Sequence, residues 1–218
     1  MKDDENKSRK RTSGVLKDKE RTKAKMIEAV GKVLLKKGYT GLNATSISKE
    51  AGVDKRLVWT YFGSLDSLVE EYIAQRDFWK FKAKDSIESL INVPKEVSEF
   101  EMTALLQFQF KALLEDETLQ RIMLWGISEK KDFLRNLSDE RELIGEEIFK
   151  NIDPQFLESS TDIRAILAIL VAGIYYLVLH GKTNGSLFCG IDLNTNEGQK
   201  RIEEAIKYIV TTSYLKKI

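Results

Sequence analysis

The sequence has 218 residues, of which 42% are hydrophobic and 32% charged, a balance typical of a folded protein and not of a disordered or fibrous one. Two prolines and thirteen glycines are few for a turn-rich β-sandwich, and a single cysteine excludes an intrachain disulfide. The net charge is only +1, but residues 1–63 carry 16 basic and 8 acidic side chains, so the remainder is net acidic. This split predicts a polyanion-binding N-terminal segment, with a solvated lysine surface as the alternative.

Residues 1–20 are predicted to form a flexible basic arm, because they are rich in charge and poor in apolar side chains. A basic cluster between residues 7 and 11 suits phosphate tracking or insertion into a minor groove, and an undecorated solvated tail is the alternative. The same segment lacks the apolar core of a signal peptide. Together with the single cysteine, Cys189, this predicts a cytoplasmic protein.

The next segments have the periodicity and end signals of three short helices. Residues 21–37 are predicted to be helical because apolar side chains recur there on one face, and Gly38 is suited to end that helix. Asn43 is a predicted N-cap for a second helix over residues 44–51. Gly52 then turns the chain, and Asp54 is the predicted cap of a third helix over residues 55–62. The predicted inner stripe of the first helix is Met26, Ile27, Val30, Val33 and Leu34.

The rest of the chain predicts further helices and no strand, so the fold class is all-α with about nine helices. A long fourth helix is predicted from Leu65 to about Lys84, with Ser64 as its N-cap. The most apolar run, residues 165–179, is shorter than the roughly 17–25 residues that span a bilayer, so no membrane span is predicted. The remaining predicted helices cover residues 97–114, 116–128, 139–150, 160–180 and 197–215.

The second and third helices have the lengths and the connecting turn of a helix-turn-helix. Gly52 permits the sharp bend, while Ala51 and Val53 are suited to lock the two helices together. The third helix would then offer polar side chains to base edges, and the positive end of the second would face phosphates. The predicted DNA contacts are Asn43, Thr45 and Ser46 in the second helix and Lys55, Arg56, Trp59, Thr60 and Tyr61 in the third.

As a set, these motifs in residues 21–68 resemble the N-terminal domain of the TetR family of transcriptional repressors. The motifs are Gly38-Tyr39, Ile47, Ala51-Gly52-Val53, the Trp59–Phe62 aromatic run and Ser64–Leu68. The resemblance implies a helix-turn-helix DNA-binding domain over residues 21–64, followed by a helical ligand-binding and dimerisation domain over residues 65–218. It further implies a homodimer formed through the last two helices, a near-palindromic double-stranded DNA operator, and a small-molecule effector that releases the repressor.

The sequence departs from the family pattern at Arg56, where a small residue is usual, and at Trp59, where tyrosine is usual. The most important departure is Leu65, because the family usually has a phosphate-binding lysine at the start of the fourth helix. Losing one phosphate contact changes the slope of log affinity against log salt concentration by about one unit, and it does not remove the whole binding energy. The alternative function is therefore a helical ligand- or partner-binding protein with weak or lost DNA affinity.

The predicted dimer also has support from the residues themselves. Residues 165–179 are too apolar on all sides to be covered by one subunit, and Ala168, Ala172 and Gly173 permit close helix approach. The last helix has an apolar stripe and a charged back. A two-fold dimer would present its recognition helices about 34–36 Å apart, to successive major grooves.

Candidate effector-binding residues are the aromatic, methionine and histidine side chains within otherwise apolar helices, and ordinary core packing is the alternative for each. They are Phe78, Met102, Phe108, Met123, Trp125, Tyr175, Tyr176 and His180. One histidine and one cysteine exclude most catalytic triads and His-rich metal sites, and no phosphate-binding glycine loop is present. We therefore expect no enzyme activity, no metal and no cofactor.

Overall fold

The computed structural model describes the backbone of residues 2–76, 83–92 and 96–215, and the side chains of these ranges from residue 17 onward. Contacts divide the chain into two compact units, Met1–Arg76 and Asp77–Ile218, which we call the N-terminal and C-terminal units. Within the described ranges the structure is all-α and contains no strand, as predicted; the one β-bridge pairs Phe188 with Ile191.

The N-terminal unit contains four α-helices and one 3-10 turn. Helix α1 packs against both α2 and α4, and α3 packs against α4. The predicted inner stripe of α1 is fully buried, so the helical periodicity was interpreted correctly. The helices are α1 (Lys2–Lys37), α2 (Ala44–Ala51), α3 (Leu57–Phe62) and α4 (Leu65–Ala74), and the 3-10 turn is Tyr39–Gly41.

Local capping fixes where these helices begin and end. The Asn43 side chain accepts a hydrogen bond from the Ser46 amide at 2.9 Å, and the Ser64 hydroxyl accepts one from the Ser67 amide at 2.9 Å. Gly52 ends α2 in the left-handed region, with φ of 67° and ψ of 38°. These three positions are the ones at which the sequence predicted caps and a turn.

The structure differs from the prediction at the N-terminus. Helix α1 begins at Lys2, so the segment expected to be a flexible arm, residues 1–20, instead continues the helix. Lysine, arginine and glutamate are good helix formers, and the segment contains no proline and only one glycine, Gly14. High charge was therefore a poor reason to predict an irregular arm.

Helix α4 belongs to the N-terminal unit, so the division of the chain falls after Arg76 and not after the predicted residue 64. The reason is burial: α4 places a row of apolar side chains in the core that it shares with α1. The long fourth helix predicted to reach about Lys84 ends at Ala74. The buried residues of α4 are Leu68, Val69, Tyr72 and Ile73.

The C-terminal unit contains six described α-helices, which brings the described total to ten where about nine were predicted. The extra helix is α5, and α8 begins at Asp132, seven residues before the predicted start. Helix α6 is central, since it packs against α7, α9 and α10 and holds the fully buried Phe110. The helices are α5 (Lys84–Ile91), α6 (Glu99–Glu115), α7 (Glu117–Ser128), α8 (Asp132–Phe149), α9 (Ile163–Thr183) and α10 (Asn196–Leu215).

Helices α1 and α4 approach each other closely at Gly31. A Cβ atom added to Gly31 would lie 2.8 Å from ring carbons of Tyr72 and would also clash with its hydroxyl. Tyr72 is only 3% exposed, so its ring has little room to move. A larger residue at position 31 would therefore push α4 away from α1.

We expect Gly31→Ala to lower the free energy of unfolding by roughly 1–3 kcal/mol, the usual effect of overpacking a core. Gly126→Ala in α7 is the matched control, because an added Cβ there meets nothing within 4 Å. Urea denaturation followed by circular dichroism measures both. Gly31→Ala as stable as the control would contradict the close approach described here.

Candidate functional site

The turn between α2 and α3 is anchored in the core of the N-terminal unit. Ile47 of α2 and Val58 of α3 are both completely buried. The Val53 amide donates to the Ser48 carbonyl at 3.0 Å, which closes the turn beyond Gly52. The two helices are thus held in a fixed relation, which is what a recognition helix requires.

The opposite side of α3 is open to solvent. Lys55, Arg56, Trp59 and Thr60 are all exposed, with Trp59 at 53%, while Tyr61 is half-buried. Helix α3 begins at Leu57 and not at the predicted residue 55, so Lys55 and Arg56 lie in the turn before the helix. The residues of the third helix that were predicted to contact DNA therefore lie on the solvent-facing side of α3 and the turn before it.

Arg56 is tied to Asp54 by an ion pair that the sequence analysis did not predict. Its Nη2 atom lies 2.7 Å from Asp54 Oδ2, and its backbone amide donates to Asp54 Oδ1 at 2.8 Å. These bonds from Arg56 lower the pKa of Asp54 to about 2 and raise the pKa of Arg56. Lys55 forms no ion pair with any described side chain, so it is the freer of the two cations.

Two polar side chains at the start of α2 already form hydrogen bonds within the protein. The Asn43 side chain is used as the helix cap, and the Ser46 hydroxyl accepts a hydrogen bond from Lys37 Nζ at 3.3 Å. Thr45 is exposed beside them. This places a lysine, Lys37, at the positive end of α2, where an anion would be bound.

Two lysines of α1 lie over aromatic rings of α3, and neither was among the predicted contacts. Lys19 Nζ is 5.6 Å from the centre of the Tyr61 ring, and Lys23 Nζ is 5.2 Å from the centre of the Phe62 ring. Lys19, Lys23 and Ile27 follow one another at intervals of four residues, which places them on one face of a helix. Because Ile27 is buried, the sequence could have indicated that the two lysines lie on the side of α1 that faces the core.

The C-terminal unit contains a cavity of about 550 Å³ bounded by α6, α8 and α9. The walls contributed by α6 and α9 are mostly apolar, whereas α8 contributes a stripe of polar and charged side chains. The polar lining residues are Ser138, Arg141, Glu142, Glu146, Arg164 and Tyr175. Such a mixture of apolar walls and a few polar groups is typical of small-molecule sites.

Arg164 connects three elements at this cavity. Its guanidinium binds Glu146 of α8 at 2.6 Å and Asp153 of the following 3-10 turn at 2.7 Å, and it lies 4.3 Å from the centre of the Phe149 ring. The guanidinium lowers the pKa of Glu146, and the two carboxylates raise the pKa of Arg164. Helices α8 and α9 are therefore joined by the interactions of Arg164.

The predicted effector-binding residues fall into two groups. Met102, Met123 and Tyr175 line the cavity. The Tyr175 hydroxyl accepts a hydrogen bond from Gln109 Nε2 at 2.6 Å, and Arg141 Nη1 donates to Met123 Sδ at 3.0 Å.

The other predicted effector-binding residues lie away from the cavity. Trp125 is buried against the Phe133 ring at 5.2 Å, and Phe108 is 39% exposed on α6. Tyr176 is exposed and stacks on His180 with ring centres 5.7 Å apart. Phe78 lies outside the described residues.

Helices α9 and α10 each expose apolar side chains, and we call these residues together the α9–α10 face. Ile169 is 73% exposed and Tyr208 is 71% exposed. Among the described residues α9 alone is long and apolar enough to cross a membrane. Its other side is buried against α6 and α7, as in a core helix. The exposed residues of the face are Ala165, Ala168, Ile169, Ala172, Tyr176, Ala205, Tyr208 and Ile209, of which Ala168 and Ala172 also line the cavity.

The chain matches no protein-family model and no curated protein. A similar solved structure is the transcriptional regulator FadR from Bacillus subtilis in complex with stearoyl-CoA, with 17% identity over 87% of this chain and 98% of that chain and a TM-score of 0.56. NalD, the secondary repressor of the MexAB-OprM multidrug efflux pump in Pseudomonas aeruginosa, has 18% identity over 87% of this chain and 95% of that chain, with a TM-score of 0.59.

A TetR family transcription regulator from Marinobacter aquaeolei VT8 is similar at 13% identity, over 88% of this chain and 97% of that chain, with a TM-score of 0.58. At these identities the likeness shows the fold. The chain therefore has the all-α fold of TetR-type regulators, and the resemblance seen in residues 21–68 predicted this fold correctly.

We expect Arg56→Ala to raise the pKa of Asp54 from about 2 toward its ordinary value of 3.8, because the dominant bonds to the carboxylate are lost. Lys55→Ala is the control, since Lys55 is the smallest of the contributors and its removal should leave the pKa near about 2. The folded-state pKa is lowered, so the ion pair stabilises the fold above the ordinary value, and this contribution is lost as the pH falls toward about 2. Carbon-13 NMR titration of the carboxyl carbon measures the pKa; an unchanged midpoint in Arg56→Ala would refute the assignment.

Proposed function

We propose that this chain is a cytoplasmic, dimeric, DNA-binding transcriptional repressor that a small-molecule ligand releases from its operator. The observation that carries the proposal is the exposed polar and aromatic surface of α3, held by a buried turn in a unit with a basic sequence. A recognition helix packs one side against its own domain and places the other in a DNA groove. It therefore needs apolar residues on the first side and polar and aromatic residues on the second.

DNA recognition follows from the chemistry of this surface. Lys55 stands at the start of α3 with its ammonium free of ion pairs to described side chains, so it is suited to donate to guanine acceptors in the major groove. Thr60 and Tyr61 offer hydroxyls to bases or phosphates, and Trp59 flanks the backbone. Lys37, Thr45 and Ser46 surround the positive end of α2 and are suited to bind a phosphate.

Dimerisation through α9 and α10 is supported by the α9–α10 face. A monomer would leave two large apolar side chains, Ile169 and Tyr208, more than two-thirds exposed beside a row of alanines. The alanines permit close approach of a second helix pair, so a two-fold contact would bury this face in a four-helix bundle.

The cavity of the C-terminal unit is the proposed effector site. Its apolar walls suit a largely apolar molecule, and Arg141 and Tyr175 offer polar contacts at its edge. Stearoyl-CoA, which the Bacillus subtilis regulator of this fold binds, is a suitable first probe. For release from DNA, the ligand must bind the DNA-incompetent conformation more tightly than the DNA-competent one.

The second candidate function is a ligand-binding protein without useful DNA affinity, and Leu65 is the observation that favours it. The start of α4 carries a half-buried leucine, and its N-cap is the Ser64 hydroxyl, which accepts from the Ser67 amide and is also hydrogen-bonded to the Ser67 hydroxyl. A gel shift with the DNA upstream of its own gene, at low and at moderate salt, separates the two functions. A folded dimer that gives no sequence-selective shift would refute the repressor proposal.

In the same gel shift, we expect Lys55→Ala to weaken operator binding by roughly 1–3 kcal/mol, about 5- to 150-fold, because a base contact is lost. Lys130→Ala, an exposed lysine between α7 and α8, is the control of equal charge change and should bind like the natural chain. Circular dichroism checks that both variants are folded. Equal affinities for Lys55→Ala and the control would show that the assigned base contact is wrong.

We expect Ile169→Glu to convert the dimer to a monomer, because a charge would be buried at the centre of the α9–α10 face. Ile127→Glu in α7 is the matched control, since Ile127 is 75% exposed but lies outside that face. Light scattering after size exclusion should give twice the 25.0 kDa chain mass for the control and 25.0 kDa for Ile169→Glu. A dimeric Ile169→Glu would place the subunit contact elsewhere.

A further inference from the structure

We infer that Lys19 and Lys23 of α1 are phosphate contacts of the DNA-binding surface. This inference rests on the proposed DNA-binding function and concerns residues to which that function assigns no role. It makes α1 part of the interface as well as part of the scaffold.

The first observation is where the two ammonium groups lie. They sit 5.6 Å and 5.2 Å from the ring centres of Tyr61 and Phe62, at the C-terminal end of α3. Leu65 follows only three residues after Phe62, so the two cations flank the place where the chain passes from α3 into α4.

The second observation is the contrast with other lysines of the same helix. Lys32 is paired with Glu28 at 2.8 Å, and Lys36 is paired with Glu50 at 3.0 Å. Among the described side chains, Lys19 and Lys23 are in contact with aromatic rings and with no ion-pair partner. A cation over an aromatic face keeps N–H donors directed away from the ring, so it remains able to bind a phosphate oxygen.

The third observation is a difference in surroundings that indicates which of the two lysines is the stronger phosphate contact. Lys23 is half-buried and shares a groove of about 310 Å³ between α1 and α4 with three carboxylates, those of Glu20, Glu28 and Glu71, and with the guanidinium of Arg76. Lys19 is exposed and is not part of that groove. Nearby carboxylates reduce the potential that a phosphate experiences, so Lys19 is the stronger contact.

Salt dependence tests the inference, because each phosphate contact contributes about 0.9 to the slope of log affinity against log salt. The probe is a fluorescein-labelled duplex of the DNA upstream of the chain's own gene, followed by anisotropy at four salt concentrations. We expect Lys19→Ala to reduce the slope by about 0.9, Lys23→Ala by less, and Lys19→Arg to keep the natural slope.

The control is Lys25→Ala, since Lys25 is an exposed lysine of α1 on a different face and its loss changes the total charge equally. Circular dichroism establishes that each variant is folded. If the natural chain binds with salt dependence but Lys19→Ala has the slope of Lys25→Ala, the inference is wrong and the proposed function stands. If the natural chain shows no salt-dependent binding, the proposed function itself fails.

Discussion

The close approach of α1 and α4 at Gly31 is the constraint on which the N-terminal unit depends. Tyr72 packs over the position where Gly31 has no side chain, which fixes α4 on α1. Helix α3 ends at Phe62 and α4 begins at Leu65, so fixing α4 also fixes the end of α3. Because α2 packs on the same helix, both ends of the helix-turn-helix are held by α1. A recognition surface needs this rigidity, since base contacts require fixed side-chain positions.

Local sequence signals predicted most of this unit. The stripe from Met26 to Leu34, the caps at Asn43 and Ser64, and the turn at Gly52 each depend on residues within one or two helical turns. The boundary after Arg76 was not predicted, because it depends on α4 packing against α1, some forty residues earlier in the sequence. The contacts of Lys19 and Lys37 with residues of α3 and α2 were missed for the same reason.

The residues of the functional sites were harder to predict from the sequence than the fold. Sequence reasoning assigned Arg56 to a DNA contact, whereas Asp54, two residues away, binds it with both carboxylate oxygens. In the C-terminal unit, residue type alone could not distinguish the residues that line the cavity from those packed in the core. Met123 and Tyr175 line the cavity, whereas Trp125, of equally suitable type, is packed against Phe133. Which face of a helix meets a cavity is decided by helix packing, which a single sequence does not specify.

The charge split of the sequence is reflected in the roles proposed for the two units. The N-terminal unit holds cations around α3, while the C-terminal unit uses its carboxylates within networks such as that of Arg164. The proposed dimer contact through the α9–α10 face would give the protein a two-fold form, and a two-fold protein requires two half-sites.

The most direct measurement is a hydroxyl-radical footprint of the chain on the DNA upstream of its own gene, combined with the binding stoichiometry. The account predicts two chains per site and two protected half-sites whose centres are about 34–36 Å apart, one helical turn of DNA, or a multiple of that distance. Uniform protection without half-sites, or a single chain bound per site, would contradict it.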